Sequence, residues 1–191
     1  MSARFPRLTP ETMTPAQREV AAEISAGPRG EVRGPFIALI HNAELARRMQ
    51  QLGEHLRWKS KLPPSLLELA VLITAREWNC QHEWDMHEKL ARKAGLEPRI
   101  FEAVAQGKEP QGMSADEALV YRASKQAHQT GRLDDDTFAA ARERFGLDGT
   151  LELLALNGYY SMMAMVLNTA GMPLPDNAAP PLKSIPGRGI P

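Results

Sequence analysis

Apolar residues recur along this chain at helical spacing, and no stretch alternates with the period of two that a half-buried strand requires. The pattern predicts an all-α fold without a sheet. Residues 15–26 read as the first helix, with Thr14 as N-cap, Pro15 at the first helical position and Gly27-Pro28 as its end. After a loop marked by Gly30, Gly34 and Pro35, residues 36–62 read as one or two amphipathic helices. Pro63 and Pro64 break the chain, and Ser65 begins a central pair. Residues 66–75 are apolar almost all round, as in a helix buried on every side. Asn79 predicts the break between the two central helices, acting as N-cap with Cys80 opening the second. Three further helical segments follow, the third ending at Gly146 and beginning at Asp134, Asp135 and Asp136, whose charges suit a helix N-terminus. A last helix covers residues 151–170. The expected organisation is one helical domain over residues 1–172, followed by a Pro-rich arm or disordered tail over residues 173–191.

A length of 191 residues suits a single domain with a sizeable core. Lys+Arg and Asp+Glu both number 23, so nothing electrostatic points to nucleic acid or to an anionic membrane surface. The first residues lack the apolar stretch of a signal peptide. The most apolar segment, residues 151–172, is interrupted by Glu152, Asn157, Ser161 and Asn168, and its clean run is too short for a bilayer. One cysteine rules out an internal disulfide framework and fits a reducing compartment, so a soluble cytoplasmic protein is expected. The glycine-rich loop GPRGEVRGP lacks the Lys-Ser/Thr ending of a phosphate-cradling loop.

Candidate chemistry changes the picture at the second central helix. At about 100° per residue, with Cys80 at zero, Glu83 falls near −60°, His87 near −20° and Trp84 near +40°. Ala91 and Ala94 continue that stripe, while Gln81, His82, Asp85, Lys89, Arg92 and Lys93 gather on the solvated side. A thiol, a carboxylate and an imidazole thus stand where packing alone would choose aliphatics. Buried groups of this kind pair or shift their pKa, and they concentrate at functional sites. Glu83 and His87 are one turn apart and can bond directly, which serves either catalysis or a self-satisfied packing cluster. Glu68 in the all-apolar helix also reads two ways, as a second catalytic carboxylate or as the Glu of a Ser65-x-x-Glu68 capping box. Cys80 at a helix start is either a thiol activated by the dipole or a small buried hydrophobe. His82, in the first turn, borders any cleft there. His82 and His87 lie about 140° apart on the wheel, so H-E-W-D-M-H is no zinc motif and no metal is expected. His41, His55 and His128 stand singly, as surface residues do. Tyr159, Tyr160 and Met162 to Met165 read as core or subunit interface.

Glu68, eleven residues, Cys80-x-His82, then His87 and x3-Ala-x2-Ala-Gly-Leu make a spaced set that resembles the carboxymuconolactone decarboxylase and alkylhydroperoxidase D superfamily. The resemblance is strongest over residues 62–107 and extends to NGYYSMMAMVLNTAGMPLP in the last helix. It implies an alkylhydroperoxidase D-like helical bundle, assembled as a homo-oligomer, trimer or hexamer, that acts on a small molecule without a cofactor. In the hydroperoxidase branch a second cysteine follows the Cys80-x-His82 pattern; here Glu83 stands in its place, so the two-thiol cycle is missing. Glu83-Trp84 with His87 looks like the decarboxylase-like branch, whose chemistry is acid–base. The expectation is a lyase-type enzyme in which His87, Glu83, Glu68 and Cys80 are the catalytic candidates and His82 and Trp84 contact substrate. A one-cysteine peroxidase or redox sensor using Cys80, and a non-catalytic oligomeric scaffold, are the alternatives.

Overall fold

The structure, a computed structural model, describes residues 4–174 and 178–185. Within them lie eight α-helices and no strand: α1 (Pro15–Ala26), α2 (Phe36–Leu39), α3 (Ala43–Glu54), α4 (Pro64–Glu77), α5 (Gln81–Lys93), α6 (Pro98–Ala105), α7 (Ala115–Thr130) and α8 (Asp135–Ala170). The all-α expectation therefore holds. None of these helices is long and apolar enough to cross a membrane.

Local chemistry sets most boundaries. Thr14 caps α1 through its side chain, and Gln17 returns the bond to the Thr14 amide at 2.8 Å, with Pro15 in the first turn. Ser114 and Glu117 make the same box at α7, which ends on left-handed Gly131. Asp134 caps α8. That helix breaks at Gly146 (φ 74°, ψ 175°), a conformation open to glycine, so the expected stop there is a sharp kink between two packed segments.

The core is organised around α4. Residues 66–75 are all buried, and the helix packs against α5, α6, α7 and α8. Each aliphatic side chain fully removed from water contributes about 1.5–3 kcal/mol, so this helix anchors whatever it carries. A buried bond network adds direction: the Thr74 hydroxyl donates to Asn157 Oδ1 at 3.1 Å and lies 2.9 Å from His128 Nε2, joining α4, α7 and α8. His128 is thus half-buried and bonded, whereas His41 and His55 are exposed as expected.

One expectation is corrected and one open alternative is removed. Asn79 is not the N-cap of α5; it adopts φ 46°, in the left-handed region that asparagine tolerates, and Cys80 takes the cap position without a side-chain bond. The reversal from α4 is closed by the Asn79 amide, which donates to the Arg76 carbonyl at 3.1 Å, and by the Cys80 amide, which donates to the Ala75 carbonyl at 2.8 Å. The Ser65–Glu68 capping box does not form either. Helix α4 begins one residue earlier, at Pro64, without a side-chain cap, and the Glu68 carboxylate turns inward.

The C-terminal segment returns to the domain. Leu182 is buried in the core, its amide donates to Gln81 Oε1 at 2.8 Å, and Gln81 Nε2 donates back to its carbonyl at 3.0 Å. Arg76 donates to the Lys183 carbonyl at 2.8 Å. Residues 178–185 thus form an arm strapped across the α4–α5 corner. The rest of the expected tail, residues 175–177 and 186–191, lies outside the described residues.

Candidate active site

Three buried ionisable groups meet between α4 and α5. His87 is 2 % exposed, Glu83 5 % and Glu68 8 %. Glu68 Oε2 lies 2.6 Å from His87 Nδ1, and Glu83 Oε2, one turn back on α5, lies 3.2 Å from Nε2. Ionised carboxylates only accept, so both can be satisfied by the same ring only when both its nitrogens carry protons. Burial alone would push the His87 pKa down. The charges and hydrogen bonds of Glu68 and Glu83 outweigh it and hold the pKa above the ordinary value. Tyr160 packs its ring edge-on to His87 at 4.9 Å and fixes the imidazole from a third side.

One face of this cluster opens on a cavity of about 50 Å³. Its walls are Arg29, Arg33, Gly34, Pro35 and Phe36 from the α1–α2 connection, Arg57, then His82, Glu83, Met86 and His87 from α5, and Tyr159, Tyr160 and Met163 from α8. Glu68 is absent from that lining. Glu83 and His87 thus line the cavity, while Glu68 meets the imidazole at Nδ1 from outside it. A buried carboxylate behind a histidine orients the ring in acyl-transfer triads.

Arg57 reaches the cavity from a π-helical turn, His55–Lys59, that follows α3. Such turns insert a residue and re-aim side chains, often at functional sites. The turn is tied to α8 by Glu152, which accepts from the Ser60 hydroxyl at 2.8 Å and the Lys61 amide at 3.0 Å and lies 3.1 Å from His55 Nε2. Tyr159 fits against α3 because position 53 is glycine: a Cβ there would overlap the tyrosine hydroxyl. Burial pushes the Tyr159 phenol up to about 12 and the Tyr160 phenol well above its usual value, so both are neutral donors near pH 7.

The remaining sequence candidates separate. His82 borders the cavity, with Nδ1 3.1 Å from the Pro173 carbonyl. Trp84 is buried away from it, and its indole N–H donates to Glu88 at 3.1 Å. Cys80 is fully buried against Ala164 and Leu167, outside the cavity lining. Burial first, then the charge of Glu83, pushes its thiol up to about 12. Helix-start activation is therefore overridden by desolvation. Arg29, Arg33, Arg57, Tyr159 and Tyr160 were not singled out as site residues from the sequence, because two arginines sit in an irregular loop and the tyrosines in an apolar helix that reads as core. Among the described residues, no group of three or more His, Cys, Asp or Glu is arranged to hold a metal ion.

An all-helical domain built on a buried Glu–His–Glu cluster at the wall of a small cavity is the class of protein that this geometry defines. Residues 43–125, from the start of α3 into α7, match the sequence model of the Carboxymuconolactone decarboxylase family. Over that segment, which is less than half of its length, the chain is similar to the carboxymuconolactone decarboxylase family. No curated protein matches the chain. Glu68, Glu83, His87 and Arg57 lie inside the matched segment, and Arg29, Phe36, Tyr159 and Tyr160 lie outside it.

Proposed function

We propose that the chain is an acid–base enzyme of the decarboxylase-like kind, acting on a small organic acid or lactone. The observation that carries this reading is an imidazole flanked by two buried carboxylates, with one carboxylate and the ring at a cavity wall and the other behind. Loss of carbon dioxide breaks a C–C bond and leaves its electron pair on a carbon conjugated with the lactone carbonyl, as an enolate. His87, held protonated, donates a proton to that carbon; Glu83 holds the ring and stabilises it as it cycles, and solvent restores the proton. Glu68 acts through His87 as a positioning residue, and His82 contacts the substrate at the rim. A cavity of about 50 Å³ limits the occupant to a small molecule.

The peroxidase alternative requires a thiolate in contact with substrate, and the buried thiol of Cys80 opposes both conditions. Homo-oligomer formation, as a trimer or hexamer, is supported by Leu147, Leu151 and Met165, large apolar side chains left exposed on α8. A cytoplasmic setting suits a chain with one unpaired cysteine.

The test is carbon dioxide release from a panel of lactone acids. His87→Gln and Glu83→Gln are expected to lower the rate on the accepted acid by about 10²–10⁴-fold, the usual worth of a positioned acid or base. Cys80→Ser is expected to leave it unchanged. A folded His87→Gln protein that turns over the accepted acid at the wild-type rate overturns the reading.

A further inference from the structure

The cavity has a second, cationic wall that proton transfer does not use. Arg29, on the loop between α1 and α2, is 8 % exposed, and its Nε is buried with no hydrogen-bond partner. Its guanidinium lies 4.2 Å from the Phe36 ring centre, a stacking contact that fixes its plane without neutralising it. Among the described residues neither Arg29 nor Arg57 has a carboxylate partner, whereas Arg33 lies 3.7 Å from Glu31. Burial pushes the Arg29 pKa down, and the charges of Arg57 and Arg33 add to the effect while the two tyrosines oppose it. Burying a cation beside like charges is unfavourable unless an anion joins them. The planar fork of arginine matches a carboxylate in two-point contact better than any other side chain does.

We propose that Arg29, assisted by Arg57, is the specificity-determining residue of this cavity, and that it holds a carboxylate handle of the substrate opposite His87. This inference rests on the acid–base reading of the site and adds its substrate end. The held carboxylate is not the reacting group. An arginine fork stabilises a carboxylate in the ground state, so chemistry proceeds at a carbon nearer His87 while the handle stays in place. Arg29 lies outside the residues matched to the family.

The experiment measures binding rather than turnover, by NMR titration of the full chain with propionate, its neutral isostere propionamide and inorganic phosphate at constant ionic strength. Propionate is expected to bind and propionamide not to. Arg29→Met, which keeps the apolar stem against Phe36 and removes the charge, is expected to weaken propionate binding about tenfold or more, the worth of a lost charge-assisted bond. Its unliganded Tm is expected to be unchanged or higher, because an unpaired buried charge has gone. Should Arg29→Met fail to fold, Arg29→Lys and Arg57→Gln decide by the same titration, each expected to weaken propionate binding severalfold. Equal binding of propionamide, equal binding of phosphate, or undiminished propionate affinity in the folded arginine variants overturns the assignment. A His87→Gln protein that is inactive yet binds propionate normally leaves both proposals standing, and one that is active and binds normally removes only the catalytic reading.

Discussion

Replacing Glu68 by glutamine separates a charge-setting role from a packing role, because the side chain keeps its shape and loses only its charge. In the native protein Glu68 Oε2 is 2.6 Å from His87 Nδ1, both groups being buried. A hydrogen bond to a charged group contributes about 1.5–3 kcal/mol against about 0.5–1.5 for a neutral one, so the weakened bond alone removes about 1 kcal/mol or more from the imidazolium. The Coulomb attraction lost with the charge is at most about 4 kcal/mol for a pair roughly 4 Å apart at intermediate screening. Both losses act in the same direction, so the His87 pKa should fall in Glu68→Gln. His87 is held above its ordinary value near 6.5, so its contribution to stability is complete below about pH 6.5 and is lost as pH rises through the raised native pKa. Glu68→Gln brings that upper edge down. The assay is an NMR titration of the imidazole Cε1–H signals, with the five histidines assigned by single substitutions. Glu83→Gln should produce a smaller fall, since its contact is longer at 3.2 Å. An unchanged or higher His87 pKa in folded Glu68→Gln would show that Glu68 does not charge the ring, and the assignment of its role would be wrong.

Cys80 is expected to resist iodoacetamide in the native protein and to react once the chain is unfolded, as mass spectrometry of the single thiol will read; rapid native alkylation would contradict its burial. Gly53→Ala is expected to destabilise by about 1–3 kcal/mol through overpacking against Tyr159, and to disturb ligand binding because that ring lines the cavity. Denaturant melts and a titration with propionate measure the two effects. Glu152→Ala should lose about 1–3 kcal/mol at neutral pH by leaving Ser60 and the Lys61 amide without their acceptor. Burial raises the Glu152 pKa, but its bonds to Ser60, the Lys61 amide and His55 outweigh this and hold it below 4.5. Its stabilisation is therefore present above about pH 4.5 and fades as pH falls through the lower native value. A wild-type and Glu152→Ala difference that stays constant from pH 7 to about pH 3 would refute this.

The parts of the site carried by regular helices were legible in the sequence. Helix α5 has a solvated face of alternating charges, so the wheel placed Glu83 and His87 inward, and the structure buries both. Ala94, at the last turn, is only half-buried, because the stripe leaves the core where the helix ends. Glu68 stayed ambiguous from sequence because Ser65-x-x-Glu68 satisfies the capping pattern as well as a catalytic one. The start of α4 at Pro64 removes the capping reading, and the carboxylate lies 2.6 Å from His87 Nδ1. Asn79 was assigned to the cap because asparagine favours caps and left-handed turns alike, and the local sequence does not distinguish the two. Arg29 and Arg57 escaped because a loop and an inserted helical turn have no period from which direction can be read. Leu182 was hidden by its Pro-rich surroundings, which read as an arm or a tail without showing that a buried leucine and the bonds to Gln81 and Arg76 hold it to the α4–α5 corner.

The most direct test of proton delivery by His87 is deuterium incorporation. A lactone acid that proves active in the carbon dioxide assay is incubated with the protein in deuterated water, and the product is analysed for label at the carbon that lost carbon dioxide. One deuteron per turnover, with the rate falling as pH rises through the His87 pKa and a His87→Gln protein that binds substrate but yields labelled product about 10²–10⁴-fold more slowly, is the expected result. Product labelled at the wild-type rate by folded His87→Gln would contradict it.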